Sequence, residues 1–208
     1  MNDQYYTADP QSESKPVPCA FPYRGYGLNF MTDAGVFSKG ELDVGSRLLL
    51  DALPALTGDV LDLGCGWGAI GVAIAKANRG ARVVMADVNR RALGLAQENC
   101  ARNGVTAEVI ESDGMSAVMG RRFAAVVTNP PIRAGKQVIY KMFSDAAASL
   151  TEEGALYLVI RKQQGAESCV KYLRTLFSSV EKLDKSGGFW VLKATEPTGK
   201  READGNEV

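Results

Sequence analysis

Asn129-Pro130-Pro131-Ile132 follows directly on an apolar run, Phe123 to Thr128, so the run reads as a buried strand and the tetrapeptide as the loop at its carboxyl end. Ligands of open α/β sheets bind at such ends. Two consecutive prolines have fixed φ and no N–H, which stiffens the loop and leaves the Pro130 carbonyl available. An asparagine oxygen beside a free carbonyl suits a planar amino group. Its two hydrogens need acceptors while its nitrogen attacks an electrophile, and both acceptors favour the positive charge that then develops. No general base is required, because the product ammonium is acidic enough to lose a proton to water or a nearby oxygen. That matters here, since the chain has no histidine and so neither histidine acid–base chemistry nor histidine metal ligation. A stiff Pro-Pro turn without chemistry would use the same residues.

An electrophile needs its own seat, and Asp59 to Asp87 offers one. The run Val60-Leu61-Asp62-Leu63 ends in Gly64-Cys65-Gly66-Trp67-Gly68, a small-residue helical stretch continues from Ala69 to Ala77, and a second apolar run, Val83 to Ala86, ends in Asp87. Glycines let the backbone turn sharply and approach a ligand, and the helix start points unpaired N–H groups at it. Asp87 stands where an acidic residue reaches ribose hydroxyls in nucleotide-binding units. Gly64, Gly66 and Ala69 also fit G-x-G-x-x-G/A, the dinucleotide pattern. Asp62 favours a different ligand: a carboxylate suits a cation, such as the amino-acid ammonium of S-adenosylmethionine, better than the anionic pyrophosphate of NAD.

The elements that must position these groups alternate along the chain. Residues 1–20 carry Pro10, Pro16 and Pro18, show no period, and read as a flexible or draped arm. Tyr23 to Thr32, around Gly25 and Gly27, reads as a small hairpin, and Leu42 to Leu53 as a helix. Asn89 caps a helix that runs to about Asn103 and stops at Gly104. Ala107 to Ile110 is a short strand before Glu111-Ser112-Asp113-Gly114, where Asp113 is placed to accept from an adenine amino group or, equally, to make an ordinary Asp-Gly turn. Helices over 137–150 and 166–177 flank a strand at 155–160, and strands at 180–183 and 189–194 meet through Ser186-Gly187-Gly188. Strand–helix alternation implies a mainly parallel sheet covered on both faces, and the short last connection an antiparallel end. Residues 196–208 are a charged tail, to which no structure is assigned.

With 208 residues the chain suits one α/β domain, with 21–195 as its core and 21–57 as a cap. Lys plus Arg total 24 and so do Asp plus Glu, which leaves any basic surface to local clustering. Arg24, Lys39, Arg133, Lys136, Arg161 and Lys162 are expected on one rim, as phosphate contacts or as ordinary solvated charge. Cys19, Cys65, Cys100 and Cys169 are too far apart for a Cys-x-x-Cys pair and suit a reducing, cytoplasmic setting. No apolar run approaches spanning length. No metal site and no membrane association are expected.

Asp62-x-Gly64-x-Gly66-x-Gly68 resembles the first motif of class I S-adenosylmethionine-dependent methyltransferases, and Asp87 their acidic ribose-binding residue. Asn129-Pro130-Pro131 resembles the Asn-Pro-Pro-aromatic motif of those acting on amino nitrogens of adenine, guanine or glutamine amides. Together with Val36-Phe37-Ser38 and Leu42-Asp43-Val44-Gly45-Ser46, the order resembles the small-subunit ribosomal RNA guanine-N2 methyltransferases from about Tyr23 to Ala194. The resemblance implies a Rossmann-like α/β fold: a seven-stranded, mainly parallel sheet with an antiparallel terminal strand, under an N-terminal hairpin and helix cap. It implies S-adenosylmethionine held by Phe37, Ser38, Asp62, Gly64, Cys65, Gly66, Gly68, Asp87, Val88, Asp113, Gly114 and Asn129, with Asn129, Pro130, Pro131 and Ile132 as the catalytic loop. Ribosomal RNA or the small subunit is the implied partner, although better-known members add a second, inactive RNA-binding domain. Ile132 departs from the aromatic, so stacking on a flipped base falls to Tyr23, Tyr26 or Phe37. A glutamine-amide methyltransferase, an inactive cofactor-binding module for ribosome assembly and an NAD(P) oxidoreductase are the alternatives, the last disfavoured by Asp62.

Overall fold

The computed structural model describes residues 8–200. A hairpin comes first, β1 (Val17–Tyr23) paired antiparallel with β2 (Tyr26–Thr32) around Arg24 and Gly25, both at positive φ. Next come α1 (Val44–Ala52), β3 (Gly58–Leu63), α2 (Ala69–Ala77), β4 (Ala81–Asp87) and α3 (Arg90–Asn103). The chain continues with β5 (Glu108–Glu111), β6 (Phe123–Thr128), α4 (Lys136–Ser149), β7 (Leu150–Arg161), α5 (Ala166–Leu176), β8 (Phe177–Ser186) and β9 (Phe189–Pro197). The large sheet has the order β5-β4-β3-β6-β7-β9-β8, with β9 antiparallel to both neighbours and the other pairings parallel. This is the seven-stranded, mainly parallel architecture expected from the sequence.

Strand alternation sorts the core into two layers. Ala125 and Val127 of β6 pack with the hairpin, α1, α2 and α3, through residues such as Phe30, Leu49, Ile74 and Ala96. Val126, between them, packs with Phe143 of α4 and Leu173 of α5 on the other face. Asn89 caps α3 by accepting from Ala92 N, and Gly104 ends it at φ 59°, as the sequence implies.

Two boundaries differ from expectation. The arm assigned to residues 1–20 stops short of Val17, because β1 already pairs there; Pro18 and Pro22 hide the strand in the sequence while occupying it. Within 8–15 the chain is held: the Arg91 guanidinium donates to the carbonyls of Pro10 and Ser12, and Ser14 Oγ and Lys15 N donate to Asp33. The tail assigned to 196–208 loses its start to β9, and Thr198–Lys200 form a 3₁₀ turn. Residues 1–7 and 201–208 of those two expectations lie outside the described residues.

The hairpin docks through an unusual match. Asn99 and Asn103 of α3 act as a surrogate strand: Met31 N donates to Asn99 Oδ1 (2.7 Å) and Met31 O accepts from Asn99 Nδ2 (2.9 Å), while Asn29 N and O repeat the pattern with Asn103. Four helical residues rise ~6 Å and two strand residues ~6.8 Å, so the two repeats stay in step over one period. Asn99 Nδ2 also donates to the Trp67 carbonyl, which ties the glycine loop to the same side chain. Asn99 is fully buried. Asn99→Ala would strand three backbone groups, each costing about 1–3 kcal/mol when buried without a partner. Urea unfolding should therefore show a loss of about 3 kcal/mol or more, against about half of that for Asn103→Ala; equal, small losses would mean that the hairpin is held by packing alone.

Candidate active site

The carboxyl ends of β3, β4 and β6 open into a cleft of about 480 Å³. The glycine loop, Asp87-Val88, Ser112-Asp113-Gly114 and Asn129-Pro130-Pro131 form its floor and sides. Phe37 and Ser38 overhang it, Asp43 and Ser46 enter from the start of α1, and Val138 and Met142 close it from α4. Phe37, Ser38, Gly64, Cys65, Gly66, Asp87, Val88, Asp113, Gly114, Asn129, Pro130 and Pro131 thus come together as the sequence implies.

Gly64 and Gly66 both have positive φ, 74° and 54°, and a Cβ on either would meet nothing within 4 Å, so the backbone there is open towards the cleft. Asp87 fixes this loop: its Oδ2 accepts from Gly66 N (2.8 Å) and its Oδ1 from Asn89 N (2.9 Å). Each oxygen keeps lone-pair capacity for a further donor. Burial pushes the Asp87 carboxyl up, against the N–H groups of Asn89, Gly66 and Val88, which favour the ionised form.

Asp62 and Gly68 are placed otherwise than expected. Neither lines the cleft. Asp62 is 1% exposed and its Oδ2 accepts from Gly71 N (2.7 Å), so the carboxylate serves the first turn of α2, whose own cap Gly68 has no side chain. A Cβ at Gly71 would sit 3.0 Å from that oxygen and 2.4 Å from Met85 Sδ, which keeps residue 71 small. The other oxygen, Asp62 Oδ1, is buried without a protein partner. Gly68 is small for packing: a Cβ would lie 3.2 Å from Ala96 Cβ of α3.

Asn129 is held from one side only. Its Nδ2 donates to Asp43 Oδ2 (2.9 Å) and to Ser46 Oγ (3.0 Å), and Asp43 Oδ2 also accepts from Ser46 N (3.0 Å) as the N-cap of α1. A carboxylate can only accept, so the amide must turn its NH₂ group to Asp43 and its oxygen away. Neither that oxygen nor the Pro130 carbonyl takes a hydrogen bond from the protein among the described residues. Ile132 departs from the expected site: it packs against the α4–α5 layer and lines a separate cavity of about 260 Å³ with Ile139, Tyr140 and Phe143. Of the aromatics considered for stacking, Phe37 lines the cleft and is 37% exposed. Tyr23 is buried with its hydroxyl on the Leu50 carbonyl, and Tyr26 lies under Lys76.

The expected basic rim loses one member. Arg24 donates to the carbonyls of Leu53 and Pro54, at the far end of α1 from Asn129. The exposed Lys39 follows Ser38, Arg133 and Lys136 follow the Pro-Pro loop, and Arg161 lies over the Phe189 ring with Lys162 beside it. None of these five pairs with a carboxylate among the described residues, whereas Arg82, Arg90, Arg102 and Arg121 all do. Lys182 and Lys185 of β8, over Trp190, extend the same end of the sheet. They escape sequence reading because only the β8–β9 register brings them there. Asp43, Ser46 and Trp67 also escape it as site residues. Asp43 carries the signal, an acidic N-cap three residues before Ser46, and Trp67 pins the overhang by donating from Nε1 to the Phe37 carbonyl (2.9 Å).

The four cysteines are unpaired, buried thiols; burial pushes Cys65 well up, with Asp87 and Asp62 adding to it. Among the described residues no helix is long and apolar enough to cross a membrane, and no group of three or more acidic or cysteine side chains is arranged to hold a metal.

Burial raises the Asp62 carboxyl to about 7, opposed by Gly71 N–H and reinforced by Asp87. Because the folded value lies above the unfolded one, this group's contribution to stability is complete below about pH 4 and is lost as pH rises through 7, by about 4 kcal/mol in all. Asp62→Asn removes the titration. Between pH 8 and pH 5 the unliganded parent should therefore gain about 2–3 kcal/mol relative to that variant in urea unfolding. Parallel pH profiles would show that Asp62 is ionised throughout.

Comparison with known proteins agrees with this fold. The methyltransferase small domain family model matches residues 27–193. The chain is 41% identical over 198 residues to the uncharacterized protein YbxB of Bacillus subtilis (strain 168), covering 93% of this chain and 98% of that one. It is 38% identical to the ribosomal RNA small subunit methyltransferase C of Aeromonas hydrophila, covering 79% of this chain and 48% of the relative. Among solved structures, the Thermus thermophilus 16S rRNA N2 G1207 methyltransferase (RsmC), in complex with AdoMet and guanosine, superposes with a TM-score of 0.80 at 29% identity, covering 90% of this chain and 52% of that one. The chain thus spans about half the length of the ribosomal RNA methyltransferases it matches. With its cleft at the strand ends, its glycine loop and a family model over most of its length, the chain belongs to the methyltransferase small domain family.

Proposed function

We propose that this protein transfers a methyl group from S-adenosylmethionine to the exocyclic N2 of a guanine in small-subunit ribosomal RNA, as a cytoplasmic enzyme. The observation that carries the reading is the one-sided clamp on Asn129, which leaves an amide oxygen and the Pro130 carbonyl as free acceptors in a cleft beside the glycine loop. S-adenosylmethionine, when bound, supplies a methyl group on a sulfonium. The residues present fit it. Asp87 has acceptor capacity left for ribose hydroxyls, Asp113 for the adenine amino group, and Phe37 and Ser38 cover the cleft. Asp62, with a buried oxygen that lacks a partner, sets a negative field behind the loop, favourable to an ammonium. The names of the matched relatives supply the RNA and the guanine.

Asn129 Oδ1 and the Pro130 carbonyl hold the two amino hydrogens and so direct the nitrogen at the methyl group. Both bonds strengthen as positive charge develops on nitrogen, which is where a hydrogen bond lowers the barrier. The nitrogen's surplus proton leaves to water afterwards. Lys39, Arg133, Lys136, Arg161 and Lys162 take backbone phosphates, and the more distant Arg24 takes no part in the site.

The deciding measurement is transfer of labelled methyl to total RNA, free ribosomal subunits and protein, followed by nucleoside and amino-acid analysis. N2-methylguanosine in small-subunit RNA is the expected product; label in glutamine would assign the same loop to a protein amide. Asn129→Ala should lower single-turnover transfer about 10²–10³-fold with cofactor affinity nearly unchanged. Asn129→Asp should do no better, since it sets a second carboxylate against Asp43. Arg133→Ala with Lys136→Ala should cut the salt slope of RNA binding by about two counterions; an unchanged slope would reduce both to surface charge.

A further inference from the structure

Asp43 has work left over. Its Oδ2 is taken by Ser46 N and Asn129 Nδ2, yet its Oδ1 accepts nothing from the protein among the described residues, and the residue lines the cleft next to Asn129. The cleft is therefore lined by two residues with an unused acceptor each, the carboxamide oxygen of Asn129 and Oδ1 of Asp43, and the Nδ2–Oδ2 hydrogen bond between them restricts how the two side chains sit relative to one another.

We propose that Asp43 is the residue that reads the target base as guanine, accepting the N1–H of its Watson–Crick edge while Asn129 accepts from N2. This rests on the guanine-N2 reading and deepens it. Bases that carry exocyclic amino groups differ in what lies next to that group. Guanine has a second donor, N1–H. Adenine has the N1 acceptor, cytosine the N3 acceptor, and a glutamine amide its own carbonyl. An acceptor–acceptor pair in the protein matches only donor–donor, so Asp43 admits guanine and sets a carboxylate against a lone pair in each of the others. One side chain thus both caps α1 and holds Asn129 through Oδ2, and its second oxygen remains over for the edge of the base.

The test compares guanine with 2-aminopurine, which keeps the 2-amino group and carries an acceptor at N1. An oligoribonucleotide centred on the guanine that the parent modifies is made with either base there, and kcat/KM for methyl transfer is measured for each. The parent should prefer guanine by about 10- to 100-fold, the discrimination that a two-point base contact provides. Asp43→Asn keeps an N-cap acceptor for Ser46 N and for Asn129 but presents an NH₂ group in place of Oδ1. The guanine rate should fall about 10- to 100-fold while the 2-aminopurine rate holds within a few-fold, so that the preference collapses. Ser46→Ala loosens Asn129 without touching the reading oxygen and should slow both bases equally, keeping the preference. Thermal melting and S-adenosylhomocysteine affinity check that each variant is folded. A parent that methylates both bases equally, or an Asp43→Asn protein with its preference intact, overturns the role of Asp43 and leaves guanine-N2 transfer standing. A parent that methylates no guanine in any RNA overturns both.

Discussion

The opening N–H groups of a helix must find acceptors outside the helix, and in α1 the oxygen that meets this demand is the one that also holds Asn129. Residues 43 and 129 are far apart in the chain and belong to different layers of the fold, yet a single carboxylate oxygen fixes both. The cap and the Pro-Pro loop are therefore tied to one atom. Moving the start of α1 displaces both acceptors of the amide, Asp43 Oδ2 and Ser46 Oγ. The Pro-Pro dipeptide removes the remaining freedom from the loop side, so the geometry of the acceptors is set before any ligand arrives.

The glycine loop is secured in the same way, by groups that have another structural duty. Asp87 ends β4 and takes Gly66 N; Asn89 caps α3 and donates to the Gly35 carbonyl; Trp67 packs edge-on to Phe30 and donates to the Phe37 carbonyl. The overhanging segment from Gly35 to Ser38 is thus attached both to the start of α3 and to the glycine loop. Asp62 is the expensive member of this set. A buried carboxyl with one oxygen unpartnered weakens the fold near neutral pH.

Much of this was legible in the chain. β6 ends where its apolar run ends, α3 starts and stops at its Asn and Gly signals, and the glycine loop, Asp87 and Asn129 all reach one cleft, because local period and punctuation decide those features. What was not legible depends on long-range register. Ile132 follows three residues of the cleft wall but turns to the other layer. Arg24 is spent on the end of α1. Asp62 is buried behind the glycine loop, a placement made by where Gly71 N–H lands after the loop. β1 was hidden by its prolines, which penalise a strand in general but not at an outer edge.

Those prolines, together with the asparagine pair on α3, leave the hairpin hard to recruit. Asn29 and Met31 turn their N–H groups to α3, so their partners across the ladder, Ala20 and Pro18, and likewise Pro22 opposite Gly27, turn their nitrogens away from β2. One rim of this two-stranded ribbon is covered by amide side chains, and on the other two of three successive outward nitrogens carry no hydrogen. Among these three positions an extended segment of another molecule finds one backbone donor, Ala20 N–H, and the Pro22 carbonyl is already taken by Arg47. A small ribbon of this kind would otherwise be a template for intermolecular sheet growth; here one rim is closed by the asparagines that dock it and the other is left short of donors by its prolines.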